Sequence, residues 1–159
     1  MTDRRTQLEH ATMVVDVPSD LCSGPVRLSF EKTVRPDSEE QLVPFYHFGI
    51  LDRAGANVGH INFRVGDTRH VTLCAGHIGF EIKPDHQGYS YSLHACQALA
   101  PFVRRHYERV ILTADPGNAP SIRIIERLGA AFLDEVDVPS NDPAYAAGCR
   151  RKKRYVWVP

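Results

Sequence analysis

Residues 77–98 read HIGFEIKPDHQGYSYSLHACQA, and a change of period inside this stretch decides the fold class. Over 77–83 the residues alternate, with Ile78, Phe80 and Ile82 on one face and His77, Gly79, Glu81 and Lys83 on the other, which is the pattern of a strand. Pro84 ends it. Asp85, His86 and Gln87 make a polar turn, and Gly88 supplies a residue free to take a positive φ where the chain reverses. From Ser90 onward Ser92, Ala95, Cys96, Leu99, Phe102, Val103 and Tyr107 fall on one helical stripe. A strand thus passes through a glycine turn into a long helix. The first turn of such a helix has unpaired N–H groups and the positive end of the helix dipole, so it can hold a pyrophosphate if the approach is lined by small or polar residues. Gly88, Ser90 and Ser92 meet that condition.

Outward from this stretch the chain continues in short elements. Residues 110–113 are a β-branched strand, DPGNAP (115–120) is a turn, and 121–128 is a helix stopped by Gly129. Strands are also predicted at 132–138 and 152–158, with PSNDPAYAAG (139–148) as a loop between them. Upstream, 26–34, 45–51 and 57–64 read as strands, the last two joined by the hairpin-like DRAGA, and 71–75 is a connection. Pro101 falls on the polar face of the long helix with Gln97, Arg104 and Arg105, where it predicts a bend around the sheet. The class is α/β in the α+β sense. Residues 1–25 are expected to be an N-terminal extension, with 13–17 as a short edge strand, and 26–159 one domain.

The order strand, anion turn, helix, strand, turn, helix, strand resembles the GNAT family of acyl-CoA-dependent N-acetyltransferases. Gln87-Gly88-Tyr89-Ser90-Tyr91-Ser92 is similar to that family's Gln/Arg-x-x-Gly-x-Gly/Ala pyrophosphate loop. Asn118-Ala119-Pro120-Ser121 through Arg127-Leu128-Gly129-Ala130 resembles the N-x-x-S…KLGF segment of the branch that acetylates ribosomal-protein N-termini. The resemblance spans residues 58–138. It implies a mostly antiparallel central sheet with one parallel, splayed pair, flanked by helices. It further implies acetyl-CoA as acetyl donor with no metal, and a primary amine as acceptor, either a small molecule or a protein N-terminus. The cofactor contacts it implies are Ile82, whose backbone N–H would face the thioester oxygen, Gln87, Gly88, Tyr89, Ser90, Tyr91, Ser92, Asn118 and Ser121.

Two departures bear on that reading. Ser90 stands where the family loop usually has glycine and Ser92 where it has glycine or alanine, so the Ser90 Cβ would crowd the pyrophosphate or its hydroxyl would donate to it. Only about ten residues separate the strands 26–34 and 45–51, too few for the two helices that usually wall the acceptor cleft. The acceptor site is then more open, or is completed by the N-terminal extension or by a second copy of the chain in a homodimer.

Acetyl transfer to an amine needs a base, a polarised carbonyl and a proton for the departing thiolate. The candidate bases are His77 at the head of the central strand, His60 in the strand before it, and Glu81. If the two strands pair as a hairpin, His60 and His77 would line one cleft, and imidazole suits proton removal at neutral pH, although paired histidines on a half-exposed sheet face are more often structural. The tyrosine that often protonates the sulfur is replaced by Ile125, with Ser121, Tyr91, Tyr145 or water as substitutes. That absence, with the two serines, gives a rival expectation: a non-catalytic CoA-binding or regulatory module.

The bulk properties narrow the classes further. Nineteen basic and nineteen acidic residues leave no net field toward nucleic acid or an acidic membrane. The run RRKKR (150–154) leads into a strand without interleaved aromatic residues, so it reads as a solvated loop or a cofactor phosphate contact rather than a nucleic-acid surface. Cys22, Cys74, Cys96 and Cys149 form no C-x-x-C pair and share no regular spacing with histidines, which predicts reduced thiols and no metal site. With neither a transmembrane-length apolar run nor a signal-peptide pattern, the expected location is cytoplasmic.

Overall fold

Alternating aromatic and aliphatic residues build the larger of two sheets. The computed structural model describes residues 17–36 and 42–159. In chain order it contains β1 (Cys22–Ser23), β2 (Val26–Val34), β3 (Phe45–Leu51), β4 (Asn57–Arg64), a π-type turn (Val71–Ala75), β5 (Ile78–Ile82), a 3₁₀ turn (Pro84–His86) and α1 (Tyr91–Val103). There follow β6 (Val110–Ala114), α2 (Ala119–Arg127), β7 (Ala131–Asp137), α3 (Pro143–Ala146) and β8 (Arg151–Trp157). β1 to β5 form an antiparallel meander in sequence order, and β6, β8 and β7 form a second antiparallel sheet with β8 in the middle.

The register sorts the first sheet into two unlike faces. Tyr46, Phe48 and Ile50 of β3 lie beside Phe63, Ile61 and Gly59 of β4, and Phe80 of β5 opposes Ile61. This face packs on the helix stripe Ala95, Cys96, Leu99, Phe102 and Val103. Phe102 is the hub, with its ring 4.9 Å from Tyr46, 6.1 Å from Phe48 and 5.8 Å from Phe63, all edge-on. Each such ring stabilises by about 2–3 kcal/mol through burial. The other face carries His47, Asn62, His60 and Glu81, and no helix covers it among the described residues. A polar face is what a sheet without those two helices requires.

Several expectations change here. The edge strand at 13–17 and the turn after β2 fall largely on residues 1–16 and 37–41, outside the described residues. Leu21 is buried at 4%, and Cys22–Ser23 pairs with β2, so the sheet begins inside the segment read as an extension. The loop at 139–148 contains the short helix α3, capped by Asp142 through Ala144 N–H. No parallel ladder joins β5 to β6: the two lie in separate sheets, linked through His77 and Ile111 at one end. The basic run is largely strand: Arg151 pairs with Glu135 and Asp137, Lys152 with Asp115, and Arg154 with Asp134. Across the described residues no helix is long and apolar enough to cross a membrane.

Candidate active site

The gap between β5 and β6 is closed at its head by His77. Its backbone N–H donates to the Ile111 carbonyl (2.9 Å), and its Nδ1 accepts from the Ile111 N–H (2.9 Å). An Nδ1 that accepts must be unprotonated, so Nε2 carries the hydrogen and donates it to Asp67 Oδ1 at 2.9 Å. The ring packs against Tyr107 at 4.7 Å, and the residue is 3% exposed. Both nitrogens are therefore engaged away from solvent.

Toward its other end β5 is free of β6. Lys83 N–H bonds the Val58 carbonyl (2.9 Å), and successive amides point to opposite edges, so the Ile82 N–H faces the gap. Gln87 Nε2 donates to the Ile82 carbonyl at 3.1 Å and braces the turn against the strand. Gly88 has φ +93°, and a Cβ built on it would meet no atom within 4 Å, so its surroundings are open. Ser90 has φ 60°, the one positive φ on a non-glycine residue among those described. A left-handed backbone is the reason a family loop would prefer glycine there, at a cost to serine of roughly 1–2 kcal/mol. The Ser90 hydroxyl accepts from Arg127 Nη1 at 2.9 Å, which draws a guanidinium to the turn. No side chain caps the first turn of α1.

A cavity of about 670 Å³ lies where these parts converge, within the range usual for small-molecule sites. Of the residues expected to bind cofactor, Ile82, Gln87, Gly88, Ser90, Tyr91, Ser92, Asn118 and Ser121 line it, and Glu81 does so too. Tyr89 does not; it is 64% exposed beside Tyr91. Asn118 caps α2 by accepting from Ser121 N–H at 3.3 Å. Ile125, at the position of the missing tyrosine, is buried in the core. Among the residues that sequence reasoning left out, Phe80, His86, Pro120 and Ile124 line the cavity. Of the basic run, no residue does.

A second cavity of about 280 Å³ opens on the uncovered sheet face, lined by Glu31, His47, His60, Glu81 and Lys83 among others. His60 Nε2 lies 3.9 Å from Glu81 Oε2, directly across the β4–β5 register. His47 Nε2 contacts Glu31 Oε2 at 3.2 Å, and the His47 and His60 rings are 5.2 Å apart. His60 and Glu81 are thus together and accessible, while His77 is separate from both. Glu31 and His47 went unread because they rise from strands that carry no motif, and Glu31 reaches His47 only because it sits at the register shift between Phe30 and Lys32, while Lys32 is the register partner of His47.

Residues 8–131 match the acetyltransferase (GNAT) domain. The chain belongs to the GNAT family of acetyltransferases. Similar GNAT folds include a protein described as a ribosomal-protein-serine acetyltransferase from Vibrio cholerae, 24% identical, with TM-score 0.53 over 72% of this chain and 64% of that one. A ribosomal-protein-S5-alanine acetyltransferase from Vibrio fischeri is 16% identical, with TM-score 0.55 over 72% of this chain and 61% of that one. The microcin C7 self-immunity acetyltransferase MccE, solved with acetyl-CoA and AMP, is 14% identical, with TM-score 0.56 over 72% and 61% of the respective chains. The aligned part of this GNAT chain thus spans less than two thirds of each of these proteins. Among curated proteins none matches.

Proposed function

We propose that this protein is an acyl-CoA-dependent N-acetyltransferase, binding acetyl-CoA in the gap between β5 and β6 and passing the acetyl group to a primary amine on the open sheet face. The observation that carries this reading is the position of Glu81, which borders both cavities and so stands between donor and acceptor.

The residues around the larger cavity suit the donor. The uncapped first turn of α1, the open approach over Gly88, and Arg127 held by Ser90 make a cradle for a diphosphate. Asn118 and Ser121 border the route of the pantetheine arm. When bound, acetyl-CoA would supply an acetyl group activated as a thioester. The Ile82 N–H would donate to the carbonyl oxygen as negative charge gathers there. Glu81, alone or through water, would take the amine proton, with His60 at 3.9 Å sharing it. The nitrogen then forms its bond to carbon as the carbon–sulfur bond breaks. Since the hydrocarbon side chain of Ile125 has no proton to give, the leaving sulfur would take its proton from water or from Ser121, Tyr91 or Tyr145, and a thiolate needs less help than an alkoxide. His77 serves as a brace in this scheme.

The acceptor class follows from the second cavity. Glu31 and Glu81 present carboxylates, so a cationic amine is favoured: a small amine or the N-terminus of a protein. A cytoplasmic location accords with free thiols at all four cysteines.

Incubation with acetyl-CoA and a panel of amines, including peptides with free Ala or Ser N-termini and polyamines, with thiol release followed by a colour reagent, tests the proposal. Turnover that depends on an amine supports it. The rival, a CoA-binding module, is favoured by Ile125 in place of the tyrosine and by Ser90 and Ser92, and CoA binding without turnover on any amine would establish that instead.

A further inference from the structure

A polar cluster apart from the cleft has no part in this chemistry. His70 and Cys74 are four residues apart on the turn that precedes β5, a spacing that puts both side chains on one side. Asp142, at the start of α3, meets them from the loop between β7 and β8. His70 Nδ1 lies 2.9 Å and 3.0 Å from the two Asp142 oxygens, and the imidazole, thiol and carboxylate ligand atoms all fall within 4.8 Å of one another. The residues are 9%, 1% and 6% exposed. The spacing His-x-x-x-Cys is in the sequence; its carboxylate partner, 68 positions after Cys74, is not legible there.

We propose that His70 Nδ1, Cys74 Sγ and an Asp142 oxygen form a binding site for a thiophilic divalent cation of the zinc class, with water as fourth ligand. Nitrogen, sulfur and carboxylate oxygen are the donor set zinc takes, with bonds of about 2.0–2.3 Å that put tetrahedral ligand atoms about 3.3–3.8 Å apart. The observed atoms need to shift by about 1 Å or less to meet that spacing. Without an ion the thiol stays protonated, pushed up to about 12 by burial and by the Asp142 carboxylate. A cation offsets both causes and releases that proton on binding. Cys149 is outside the set, its thiol directed to Asp115 Oδ1 (3.3 Å) and the Arg151 carbonyl (3.4 Å).

The ion's place in the fold gives it a structural role. The Cys74 carbonyl accepts from Thr113 Oγ1 at 2.7 Å, and the Thr72 carbonyl from Arg154 Nη1 at 3.1 Å. A cation here would tie the 138–150 loop to the turn that leads into β5 and to the second sheet.

The test is a titration of chelator-treated full-length protein with Co²⁺. One equivalent is expected to give the near-ultraviolet thiolate-to-cobalt band, Zn²⁺ to bleach it, and Zn²⁺ to raise the melting temperature. Cys74→Ala should abolish the band, Asp142→Asn should weaken cobalt binding at least tenfold, and Cys22→Ala with Cys149→Ala should leave the band intact. Folded wild-type protein without a thiolate band would overturn the proposal, whatever the variants do. So would a band that survives Cys74→Ala.

Discussion

The two ends of β5 face the second sheet in opposite ways. At the head, one backbone bond and one imidazole bond tie His77 to Ile111, and the ring is sealed beneath Asp67 and Tyr107. Toward the tail, the Ile82 amide looks into a cavity and the turn beyond it is held open by Gln87. A single side chain thus replaces the ladder at one end so that backbone amides are released at the other. The histidine that chemistry would first nominate as a base has both ring nitrogens engaged, while Glu81, four residues along the strand, borders the cavity.

That contrast can be broken from either end. The largest effect is expected at Glu81: Glu81→Gln should lower kcat/KM by about 10²-fold or more while CoA affinity, measured by calorimetry, stays within about twofold. An equal loss in CoA affinity would mean that Glu81 holds the cofactor instead. His77→Ala should act on the fold, reducing unfolding free energy by about 2–4 kcal/mol in urea melts, since it orphans the Ile111 N–H and empties a packed site. Loss of activity in His77→Ala without loss of stability would reverse the roles assigned to the two ends. Gly88→Val is expected to weaken CoA binding about tenfold or more, alone or with Gln87→Ala, because a β-branched residue resists φ +93° and the turn must rearrange. Unchanged affinity would remove this turn as the phosphate site. The smallest change is Ser90→Gly, which relieves a left-handed serine but gives up the Arg127 contact; the melting temperature should shift by a few degrees, the equivalent of about 1 kcal/mol or less.

Much of this was readable from sequence where one period rules a segment. β2, β3 and β4 fall on residues 26–34, 45–51 and 57–64 because alternation holds over most of each, despite a register shift in each ladder, and the turn at Gln87 to Ser92 is legible because the period changes at it. The expected hairpin of β4 and β5 forms, but its register sets His60 opposite Glu81, where the sequence suggests His77 as its partner. The burial of His77 was not legible, since alternation puts it on the Glu81 face and only its bonds to Ile111 of the second sheet place it in the interior. The central place of β8 also escaped the reading: strand order in a three-stranded sheet depends on which edges need covering, and that is a property of the assembled chain. Ser90 looked like a defect against the family loop, and its left-handed backbone with Arg127 on its hydroxyl supplies the missing explanation.

The order of the second sheet sets a timetable for the ribosome. β6 and β7 do not pair with each other and must wait for residues 151–157 to come between them, so during synthesis the second sheet stays unfinished long after the turn at Gln87 to Ser92 has emerged. A nascent chain arrested before Arg151 would carry β6 and β7 with no partner between them, and the second sheet would form only once β8 had emerged.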